Sequence, residues 1–141
     1  MHVYRLASSM SGRNIGVETS ALFHEIDEVV GDIIHPVKVL MGEEVHDELD
    51  MLRLILSLRF GLTHLDDPII EIADQELMRL EAHTFFENAA RWCPPPCEET
   101  CDIVGNFWYL EPEECRDRFH NLAVNLLTEQ AATKIAERQH E

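Results

Sequence analysis

Apolar residues in this chain recur at intervals of three and four, and no stretch alternates apolar with polar residues long enough to build a sheet. That period places successive apolar side chains on one face of an α-helix, so the pattern commits the chain to an all-α fold. The spacing predicts a first helix over "HVYRLASSM" ending near Ser11 and Gly12. A second runs from about Val17 to Val30 on a stripe of Ala21, Leu22, Ile26, Val29 and Val30, and Gly31 stops it. A third runs from Glu43 to Phe60 on Val45, Leu49, Leu52, Ile55 and Leu56, with Gly61 closing it. The fourth begins near Asp67, with Pro68 in its first turn, and continues through Ile72, Ala73, Leu77 and Leu80 to Trp92. Three successive prolines make residues 93–106 a loop. The last helix covers about 111–138, with Glu113 and Glu114 in its first turn and Phe119, Leu122, Ala123, Leu126 and Leu127 facing inward.

At 141 residues the chain is one domain long, and a compact single-domain bundle spanning 1–141 is expected. Its formal charge of −16 and the lack of any Lys/Arg-rich run disfavour a nucleic-acid polymer as partner. No apolar run reaches the ~20 residues of a membrane helix, and no signal-type segment opens the chain, so it reads as a cytoplasmic protein with no membrane partner. Cys93, Cys97, Cys101 and Cys115 match no strong zinc spacing and read as reduced bystander thiols. Met41, Met51 and Met78 read as core filler, and Trp92, Phe107, Trp108 and Tyr109 as core cover beside a loop.

Chemistry concentrates in "FHEIDEVVGD". His24 and Glu28 are four apart and Glu25 and Glu28 three apart, so one helix face would present an imidazole and two carboxylates, a donor set that suits a divalent metal. Other donors must come from elsewhere, from His2, His35, His46 or Asp74. The same residues also describe a solvated acidic face beside a hydrogen-bonded core histidine, and spacing leaves both readings open.

The string "ALFHEIDEVVGDIIHPVK" resembles the segment "LLHDxxExxxGDxxxPxK" of HD-domain phosphohydrolases, in the branch of bacterial deoxynucleotidases and phage deoxynucleotide triphosphohydrolases. "LRFGL", "IADQELMRLEA" and "FWYLEPEECRDRF" follow in that branch's order. The resemblance implies a metal-dependent phosphohydrolase acting on a small deoxynucleotide, mono- or triphosphate, with a weak leaning to dATP, and a homo-oligomer. It implies one manganese, cobalt or zinc ion held by His2, His24, Glu25 and Asp74, with Glu25 standing where the family has aspartate. Glu28 and Asp32 would be the catalytic residues that position water and move protons. Lys38, Pro36 and Arg5 would bind substrate.

Two other readings stand beside it. Glu25 and Glu28 followed by Glu44 and Asp47 fit the "ExxE…ExxD" pattern of MazG-like nucleotide pyrophosphohydrolases, which would hold magnesium. The non-enzymatic alternative is a catalytically degenerate helical module that binds a nucleotide or a partner protein.

Overall fold

The computed structural model describes residues 2–26, 37, 40–105 and 111–139, and among them no strand is present. The protein is a single-domain all-α bundle. Its helices are α1 (His2–Met10), α2 (Ile15–Leu22), α3 (Glu43–Phe60), α4 (Pro68–Phe85), α5 (Glu98–Val104) and α6 (Pro112–Arg138). Phe107, Trp108 and Tyr109 lie outside the described residues.

The core gathers around α1. Val3, Leu6 and Ala7 share one face of it at intervals of three and one, and they pack on Val17 and Ala21 of α2, Ile70, Ala73 and Leu80 of α4, and Val104 of α5. Alanines at Ala7, Ala21 and Ala73 are essentially inaccessible, which lets these helices approach closely. Leu6 is 2% exposed, and burying a leucine fully contributes roughly 1.5–3 kcal/mol. A second cluster joins Leu22 to Ala123 and Leu126 of α6. Buried polar groups are satisfied locally: Ser8 Oγ donates to Glu18 Oε1 at 2.5 Å, and Thr19 Oγ1 to the Ile15 carbonyl at 2.7 Å.

Helix boundaries follow side-chain chemistry. The Asn14 side chain accepts from the amides of Gly16 and Val17, and that of Asp67 from Ile69, with Pro68 in the first turn of α4. The second helix ends at Leu22, well before Val30. Phe23 leaves helical geometry because its ring stacks on Phe60 at 5.4 Å and meets Phe119 edge-on at 5.6 Å. The fourth ends at Phe85, before Trp92, where Phe86 is extended. Within 93–106, α5 forms directly after the prolines: Cys97 is its N-cap and Glu98 and Glu99 sit in its first turn. Glu76 of α4 fixes this short helix by accepting from Cys97 N at 2.8 Å and Thr100 Oγ1 at 3.2 Å.

Helix α3 differs from the rest. It has the expected bounds, with Gly61 at φ 68° as its left-handed C-cap, yet none of its eighteen residues is buried. It is held mainly at its C-terminal half. Arg53 donates to the carbonyls of His24 and Leu65 and pairs with Asp66, Phe60 stacks on Phe23, and Gln130 and Lys134 of α6 donate to the Gly61 carbonyl. Ile55, expected inside, is 55% exposed, and Met41, Met51 and Met78 are exposed as well, so these methionines do not fill the core.

Candidate functional site

Two adjoining cavities of about 360 and 280 Å³ run along α4, and both are lined by His24 and Asp74. The second also takes in His2, Glu25 and Glu81, so the fold brings His2, His24, Glu25 and Asp74 to one cleft. Their sequence separation is bridged because α1 and α4 share the core and His24 sits in the turn that follows α2. His46, the other described histidine considered, lies exposed on α3. Arg5 is elsewhere, donating to the carbonyls of Ile103 and Val104 at 2.6 and 3.3 Å and tying α1 to the end of α5. Glu28, Asp32, His35, Pro36 and Lys38 lie outside the described residues.

Shared lining is not coordination. The Nδ1 edge of His24 is 3.0 Å from the Ala21 carbonyl, which accepts only from an N–H, so that nitrogen carries hydrogen. Its Nε2, the atom left to ligate, faces Asp74 Oδ1 at 3.5 Å and Glu25 Oε2 at 3.9 Å as an ion pair. Among the described residues no group of three or more His, Cys, Asp or Glu side chains is arranged to hold a metal ion. A metal needs donors converging at about 2.0–2.3 Å on one point, and here imidazole and carboxylate satisfy each other instead. This corrects the expectation of manganese, cobalt or zinc bound by His2, His24, Glu25 and Asp74, and that of magnesium. The metal-dependent hydrolase built on that ion falls with it. The four cysteines are free thiols: Cys93 is buried, and Cys97, Cys101 and Cys115 are exposed.

The electrostatics of the cleft are acidic. Burial pushes the Glu81 carboxyl above its ordinary value, and the carboxylates of Asp74 and Glu25 push it further. Burial also lowers the His2 imidazole, helped by the nearby Arg5 guanidinium. A phosphate entering here would meet carboxylates first.

The sequence reasoning missed the outer side of α3. At 100° per residue, Met51, Leu54, Ile55 and Leu58 fall within one narrow stripe on the side away from Val45, Leu49, Leu52 and Leu56. They are 56, 52, 55 and 73% exposed. Their three-one-three spacing was the available signal.

The class established by these features is an all-α single-domain bundle with an exposed apolar helix face. Comparison with known proteins finds no matching family model, no matching curated protein and no matching solved structure. Together with the absence of a metal-holding group among the described residues, this overturns the resemblance to HD-domain phosphohydrolases. No described helix is long and apolar enough to cross a membrane.

Proposed function

We propose that this protein is a non-enzymatic helical binding module, that its ligand is another protein chain, and that α3 is the recognition element. One observation carries the reading: an eighteen-residue helix that buries none of its residues and turns four large apolar side chains to solvent. Exposed apolar residues scattered singly need no explanation, whereas a contiguous stripe of this kind marks a surface that a partner covers. Helix-in-groove and helix-pair recognition use anchors at this spacing. A protein ligand suits the chain better than a nucleotide, because the formal charge of −16 and the carboxylates of the α4 cleft oppose phosphate. The four free thiols fit a reducing compartment and support action in the cytoplasm.

The test is a photo-crosslinking amino acid placed at position 54 in living cells, with position 75 on α4 as the control. A protein adduct at 54 and none at 75 is expected. No adduct at 54 overturns the reading.

A further inference from the structure

Resting on that reading, we infer that the partner of α3 is a second copy of this chain, joined through an antiparallel α3–α3 pair about a two-fold axis between Leu54 and Ile55. The spacing of the stripe is the first reason. Met51, Leu54, Ile55 and Leu58 are separated by three, one and three residues, a palindrome, so reversing the helix about its centre lays the stripe on itself. Met51 then sits over Leu58 of the second copy, while Leu54 and Ile55 each pack beside their own symmetry mate. This self-complementarity is what an isologous interface requires.

Charge supplies the second reason and fixes the direction. The residues beside the stripe are acidic in the first half of α3, at Glu44, Asp47 and Glu48, and the last turn carries Arg59. Glu48 and Arg59 lie on the same flank of the stripe at 100° per residue. An antiparallel pair brings Arg59 of one copy within about one helical turn of Glu48 of the other, and does so twice. A parallel pair would stack the acidic halves on each other. Arg59 has no ion-pair partner among the described residues, so nothing within the chain competes for it.

Area is the third reason. Half or more of each of four large side chains amounts to roughly 400 Å² of apolar surface, near the upper range of the largest patch on an ordinary monomer. A second copy covers that patch on both chains at once, about 800 Å² in all, and the flanking charged residues carry the total towards the ~1,200 Å² at which stable interfaces begin. No other helix packs along α3, so its outer side is open to a neighbour.

Sedimentation of the purified chain should show a species of twice 16.3 kDa. Leu54→Glu should weaken its association at least tenfold while leaving the helical circular dichroism and the urea midpoint unchanged, since Leu54 is half exposed in the single chain. Arg59→Glu and Glu48→Arg should each weaken association severalfold, and the double variant should restore it. A dimer insensitive to these changes, or one the double variant does not rescue, overturns the antiparallel pairing. The crosslinker at position 54 separates the two claims: an adduct between two copies supports both. An adduct only to a different protein overturns the self-pairing and leaves the binding-module reading intact, and no adduct overturns both.

Discussion

Glu76→Gln isolates the contact that docks α5 onto α4. The Glu76 carboxylate is 13% exposed and accepts from the Cys97 amide at 2.8 Å, from Thr100 Oγ1 at 3.2 Å and from the Arg79 guanidinium. Glutamine keeps one acceptor oxygen, which can serve the Cys97 amide, but its NH₂ group turns a donor towards the remaining donors. Hydrogen bonds to a charged group contribute about 1.5–3 kcal/mol, and with one bond retained the expected loss is about 2 kcal/mol near neutral pH. Burial alone would raise the Glu76 carboxyl, yet the Cys97 and Thr100 hydrogen bonds, with Arg79, bring it below the ordinary glutamate value of 4.5. The folded chain therefore holds this proton less readily than the unfolded one. The resulting stabilisation is complete above 4.5 and is lost as pH falls through the lower folded value. Glutamine does not titrate, so the gap in urea-unfolding free energy between the two proteins should narrow on acidification. A gap that stays constant with pH, or one below about 0.5 kcal/mol at neutrality, refutes the assignment.

Leu6→Ala removes the largest fully buried side chain and should cost about 3 kcal/mol in urea unfolding. Gly16→Ala would place a methyl group 2.7 Å from Cε1 of His64, so a loss of about 1–3 kcal/mol is expected from the same assay, and a neutral effect would show that the imidazole moves aside freely. Asp74→Asn removes one of the carboxylates that hold Glu81 up, and carbon-detected NMR titration should show the Glu81 carboxyl move down towards its ordinary value. Manganese, cobalt, zinc or magnesium should leave the thermal midpoint unchanged, and a saturable rise with any of them would reinstate a bound ion.

The fold class was legible because three- and four-residue spacing has few other meanings, and α3 could be bounded to the residue because Gly42 and Gly61 flank it. The early end of α2 was not legible. No glycine or proline marks Leu22, and the break comes from the ring of Phe23 reaching Phe60 and Phe119, contacts 37 and 96 positions away (60 − 23 and 119 − 23). The first turn of α5 was hidden behind its prolines, although Glu98 and Glu99 were the usual acidic marker of a helix start. At the cleft, spacing correctly hinted that His24 and Asp74 would meet, but only the side-chain rotamers decide whether an imidazole nitrogen faces an ion or a carboxylate. On α3 both sides carry apolar residues. Sequence cannot say which of two such faces is turned to the core.

The position of α1 sets an order of events. This helix packs on α2, α4 and α5, and Arg5 fastens it to carbonyls at Ile103 and Val104. During synthesis α1 leaves the ribosome before every helix it rests on, so the nascent chain carries Val3 and Leu6 uncovered until about a hundred further residues have emerged. Chaperone occupancy of the growing chain should therefore fall only after α5 clears the exit tunnel.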